Sequence, residues 1–296
     1  MTATPPASDA QARRELAVAW MVRGHELMQR DDSVSLEASL DAYAHAVALL
    51  RPQVAPGRPV DPAGANSLGA ALMNRGQLLH RLHGIEQAAP ALAAFDEAIE
   101  TLANIPVVAN PWPRRNLAGT LLNRANLLLD LARLADAAVA ARAALALSLA
   151  HERTEVVDAD LALKARRALC DAVGRLIVAP GADQEALARE ASDLVDDAMA
   201  LTRHWAGRGE AAFAALALRF FHYGTQLYRV HQPQFLAEFI RENLASDPAF
   251  RAIALVAIDT ALTERPAGFL TVGDPASMRR LETWRELTAL RADLVP

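Results

Sequence analysis

The chain has 296 residues, of which 52% are hydrophobic and 5% aromatic, and its formal net charge is −5. That length suits one or two ordinary domains or a single elongated repeat array, and the apolar content excludes general disorder. The weak negative charge excludes broad nucleic-acid binding, which rests on many basic contacts to phosphate.

Residues 1–9, MTATPPASD, read as a flexible tail, and the N-terminus lacks the apolar core of a signal peptide. From there apolar residues recur with helical spacing, and alanine and leucine outnumber β-branched residues. Residues 52–65, PQVAPGRPVDPAGA, carry four prolines and two glycines and break the helical run. Further breaks fall at 104–113 (NIPVVANPWP), 179–183 (APGAD), 231–234 (HQPQ), 246–248 (SDP), 265–268 (RPAG) and 272–275 (VGDP). Several place Asp, Ser or Asn just before the next apolar run, where helix N-caps belong. No stretch alternates apolar and polar residues with β-branched enrichment, so the whole chain is expected to be helical. No run reaches the ~20 apolar residues that cross a bilayer. The expectation is a cytoplasmic protein with no membrane partner.

Between the breaks the helices come in pairs. The first helix of each pair carries a small residue: Gly24, Gly76, Ala125, then Ala172 or Gly174, then Gly224, at intervals of 47 to 52 residues. The second helices share offsets of four, seven and eight: Ser39, Tyr43, Ala46, Val47; Ala91, Phe95, Ala98, Ile99; Ala137, Ala141, Ala144, Leu145; and Ala191, Val195, Ala198, Met199. Those offsets put small, large, small and apolar side chains on one helix face. A fixed period in this range marks a helical solenoid, whose repeats bury their apolar faces on one another. Beyond residue 210 the composition shifts: seven of eight phenylalanines and two of three tyrosines lie there. This region is read either as an aromatic-packed C-terminal cap, or as a ligand pocket or dimer surface.

Gly76 with Ala91-x-x-x-Phe95-x-x-Ala98 resembles the tetratricopeptide repeat (TPR), in which a small residue of the first helix meets the second helix. The resemblance is best over residues 15–150. It is divergent, because these repeats run to about fifty residues against the family's ~34. It implies a right-handed α-solenoid of antiparallel helix pairs over 10–205, completed and capped by helices over 206–296, including a pair around 248–263 and 275–292. It also gives meaning to two matching stretches, LMNRGQLLH (72–80) and LLNRANLLL (121–129), where an asparagine precedes the small residue by two. In TPR arrays an asparagine at that place faces the concave groove and bonds a bound peptide's backbone. The resemblance thus implies a peptide-binding wall around Asn74 and Asn123. Helical geometry adds Gln77 and Arg81 to the first stripe, and Asn126 and Asp130 to the second. An amide offers both donor and acceptor and so matches a peptide unit of any sequence. The competing reading makes both asparagines loop caps or solvated surface.

Arg23, Arg75 and Arg124 recur beside the small residues and read as packing and ion-pairing groups, since arginine is almost the sole basic residue (Lys164 is the only lysine). His80 and His83 lie three apart without a second ligand cluster, so no metal is expected. Cys170 is the only cysteine, which excludes an intrachain disulfide. No nucleophile, phosphate-loop, dinucleotide or zinc-protease motif occurs, and no cofactor or catalytic residue is proposed. The function expected is a non-enzymatic scaffold or adaptor that binds a protein or peptide partner. The alternative is a sensor that binds a small molecule or short peptide in an aromatic C-terminal pocket holding His222, Tyr223 and Tyr228.

Overall fold

The computed structural model describes residues 7–54, 61–105, 110–244, 248–263 and 275–295. Every regular element among them is helical. In chain order these are α1 (Ala7–Met28), α2 (Ser33–Leu50), α3 (Pro62–His83), α4 (Ala88–Ala103), α5 (Trp112–Asp130) and α6 (Leu134–Ser148). Then follow α7 (Val156–Ile177), α8 (Gln184–Ala206), α9 (Ala212–His231), α10 (Leu236–Leu244), α11 (Arg251–Thr263) and α12 (Pro275–Leu294). Of the tail expected over 1–9, residues 7–9 begin α1 and residues 1–6 lie outside the described set, as do the breaks expected at 246–247, 265–268 and 272–274. No helix among the described residues is long and apolar enough to cross a membrane.

The helix boundaries follow from local chemistry. Asp32, Asp61 and Asp183 cap α2, α3 and α8, accepting from the backbone N–H of Ser35 (2.8 Å), Ala63 (3.2 Å) and Ala186 (3.1 Å). Pro62 and Pro113 sit in first turns, where the missing N–H costs nothing. The first helices end in a recurring way. Asp31, Gly84, Ala132 and Gly181 all have positive φ (59°, 57°, 56° and 77°). They follow Gly24, Gly76, Ala125 and Gly174 by seven, eight, seven and seven residues.

The chain forms two compact units, Met1–Leu169 and Cys170–Pro296, divided inside α7. In the first unit each helix from α1 to α6 packs on the next, and α3 also lies against α5. The small residues lie against large buried rings. A Cβ on Gly24 would stand 3.0 Å from the Tyr43 ring, and one on Gly76 would stand 2.6 Å from the Phe95 ring. Tyr43 and Phe95 are essentially inaccessible, at 1% and 0% exposure. Burying rings and leucines of this size stabilises by about 1.5–3 kcal/mol each.

A charged cluster closes this unit. Asp158 at the start of α7 is fully buried and receives Arg114 at 2.7 and 3.0 Å and Arg115 at 3.1 and 2.8 Å. Arg114 also donates to the Leu147 carbonyl at 2.6 Å. Burial pushes the Asp158 carboxyl up, but the two guanidinium groups outweigh it and hold the carboxyl below its usual range. Arg166 and Glu152 form a second buried pair at 2.6 Å.

In the second unit α8 packs on α9, which carries α10 and α11, and α12 packs on α10 and α11. The stretch RFFHYGTQLYRV is the core of α9. Gly224 there meets Phe239 of α10, with a notional Cβ at 2.4 Å from the ring. Phe221 stacks between Phe239 (5.5 Å) and Phe250 (4.4 Å), so much of the aromatic surplus is core.

Candidate functional site

The asparagine wall lies in the first unit, on α3 and α5. These helices are joined by two side-chain bonds that share one register: Asn116 donates to the Asn66 carbonyl oxygen at 2.9 Å, and His80 meets Asp130 at 2.7 Å. Both span fifty residues. The same register puts Met73 and Gln77 of α3 beside the stretch Gly119–Asn126 of α5, and a Cβ on Gly119 would lie 3.3 Å from the Met73 sulfur.

The expected site residues divide into two sets. Asn74 donates to the Tyr43 hydroxyl, whose titration burial pushes up to about 12 and that bond partly restrains. Arg81 is paired with Asp31, also fifty residues away, and Asp130 is held by His80. These three side chains join one helix pair to its neighbour. Gln77, Asn123 and Asn126 are half-buried, and among the described residues they have no hydrogen-bond partner. They fall between the two bridges. Of the recurring arginines, Arg124 bonds Asp96 of α4 at 2.8 Å, while Arg23 is exposed and Arg75 half-buried. His83 lies 3.6 Å from Glu37.

The residues of the C-terminal pocket expectation do not come together. His222 is exposed. Tyr223 donates to the Cys170 carbonyl at 2.6 Å and sits over Gly174, so it ties α9 to α7. Tyr228, and not the other two, lines the cavity of about 890 Å³ bounded by α8, the end of α9 and α10. Tyr228 is 6% exposed, and its ring lies 4.8 Å from Phe239. Its hydroxyl donates to Asp196 at 3.1 Å and is also bonded by Ser192.

The cavity walls are acidic, a feature absent from the sequence expectation. Asp193 and Asp196 project from α8 and Glu238 and Glu242 from α10. A fifth carboxylate, Glu185, is engaged by Arg189 at 2.9 Å. Burial raises the Asp196 carboxyl above its ordinary range, and the charges of Glu242, Asp193 and Asp197 raise it further, against the lowering bond from Tyr228. Burial depresses the His231 imidazole, which also lines the cavity. The signal was legible as i,i+3 and i,i+4 carboxylate pairs, but nothing in the sequence showed that two such pairs face each other.

No three His, Cys, Asp or Glu among the described residues converge to hold a metal ion. No protein-family model matches the chain, and no curated protein matches it in sequence.

Proposed function

We propose that this chain is a right-handed, TPR-like α-solenoid in the cytoplasm that works by binding rather than turnover, as a protein–protein interaction scaffold. An extended segment or helix of the partner lies along the wall of α3 and α5. The observation that carries this reading is the set of half-buried amides, Gln77, Asn123 and Asn126, left without internal partners between two fixed bridges. These amides still reach water, and an extended peptide backbone supplies donors and acceptors that can take that water's place. Asn74, first expected to lead this wall, serves it indirectly by fixing α3 on Tyr43.

The test is a variant carrying Gln77→Ala, Asn123→Ala and Asn126→Ala, used as bait in lysate of the native host beside the wild type. The reading requires that one specific protein co-purifies with the wild type and is lost from the variant, with melting unchanged. Equal recovery by both baits would sink it. A second reading is favoured by a specific observation, the cavity lined by Tyr228: the second unit takes a small ligand or short peptide there.

A further inference from the structure

The cavity of the second unit has more chemical character than its size. Its volume, about 890 Å³, falls in the range of small-molecule sites. Its floor is aromatic and well covered: Tyr228 and Phe239 are 6% and 4% exposed. Its two walls carry one carboxylate pair each, Asp193 with Asp196 and Glu238 with Glu242; all four residues are exposed and so open to a ligand from solvent, and none has an Arg or Lys partner among the described residues. The one guanidinium on the lining, Arg189, is already engaged by Glu185.

We propose that this cavity binds an organic polycation whose ammonium or guanidinium groups are separated by methylene spacers. Three features select that chemistry. The opposed carboxylates repel one another, with Glu242 and Asp193 both acting on Asp196, so a cation gains attraction and removes repulsion at once. They do not converge in threes, which disfavours a single metal ion and favours charges spread along a chain. Phe235 and Val230, on the same lining and 47% and 56% exposed, offer apolar surface to the methylenes, and the Phe235 ring offers a π face to a charged end. A free polyamine and the side chains of a Lys/Arg-rich segment share this chemistry.

This inference rests on the reading of the cavity as a ligand site and is independent of the amide wall. The test uses the full chain, with calorimetric titration and thermal melting against spermidine, a Lys/Arg-rich pentapeptide, and magnesium chloride at matched ionic strength. The control is the double variant Asp196→Asn/Glu242→Gln, which keeps shape and removes charge. Spermidine or the peptide is expected to raise the melting temperature of the wild type where magnesium does not, and the preferred probe assigns the source. In the variant the unliganded melting temperature should rise, because repulsion is relieved, while affinity falls at least about tenfold. These opposite signs separate a binding role from a structural one. The proposal is overturned if neither probe binds, if magnesium reproduces the shift, or if the variant binds as well as the wild type. An uncharged aromatic probe such as indole, binding in a Tyr228-dependent way where spermidine fails, would keep the cavity as a ligand site and remove the cation.

Discussion

The contact of Gly76 with Phe95 makes the repeat signature quantitative. In Gly76→Ala the new methyl carbon would stand 2.6, 2.9 and 3.0 Å from Cε1, Cδ1 and Cζ of Phe95. Carbon atoms pack at about 3.5–4.0 Å, so the ring must withdraw by roughly 1 Å. Phe95 has no exposed surface and is walled in by Leu79, Ala91 and Leu127, so the ring has nowhere to go. Alanine gains about 1 kcal/mol over glycine in a helix interior. Overpacking costs about 1–3 kcal/mol, and three ring atoms inside 3.1 Å put this site at the upper end. The expected result is a net loss of about 2 kcal/mol in urea unfolding followed by circular dichroism. Gly24→Ala is the internal comparison. Its nearest Tyr43 atoms lie at 3.0, 3.1 and 3.2 Å, so overpacking and propensity should roughly cancel. Phe95→Leu should recover part of the Gly76→Ala loss when the two are combined. A Gly76→Ala protein as stable as the wild type, or no coupling to Phe95→Leu, would refute this account of why the first helix carries a small residue.

Asp158→Asn leaves Arg114 and Arg115 facing a neutral group and should cost about 3 kcal/mol or more in the same unfolding assay. Because the Asp158 carboxyl is held below its unfolded range, its contribution is present above that range and is lost as pH falls through the depressed folded value; the variant's acid-unfolding curve should lack that component. Ala132→Gly relieves a left-handed alanine, and a melting curve should show a gain of about 1 kcal/mol, whereas Gly84→Ala, at φ 57° and ψ −136°, should lose more than that. Tyr43, Tyr223 and Tyr228 all have phenols raised by burial, so stability they confer is full below pH ~10 and is lost as pH rises through their folded values. Ultraviolet titration should accordingly show no folded-state tyrosine ionising at the ordinary value.

The helical architecture was legible because its signals are local. Proline-rich breaks, aspartate caps and small residues at intervals near fifty each act within a few residues of themselves, and α11 and α12 fall where the closing helices were expected. The glycine–ring contacts were legible too, since the offset from Gly76 to Phe95 repeats from Gly24 to Tyr43. What sequence could not supply was the partner of each polar side chain. Arg81 and Asp130 share a helical stripe with asparagines, but their charges find Asp31 and His80 on neighbouring helices. Asn66 and Asn116, which pair with each other, look no different in sequence from Asn123, which does not. Facing carboxylates around Tyr228 come from α8 and α10, which are separated in sequence by the whole of α9, so their opposition depends on packing angles that no periodicity encodes.

Asn66 with Asn116, Arg81 with Asp31 and His80 with Asp130 all span fifty residues. All three bonds are anchored on α3, which is thereby pinned to the turn before α2 on one side and to α5, near both of its own ends, on the other. A slip of α3 along its axis would break bonds to both neighbours at once, so these polar joints hold in register a helix whose alanine-and-leucine core contacts alone would let it slide.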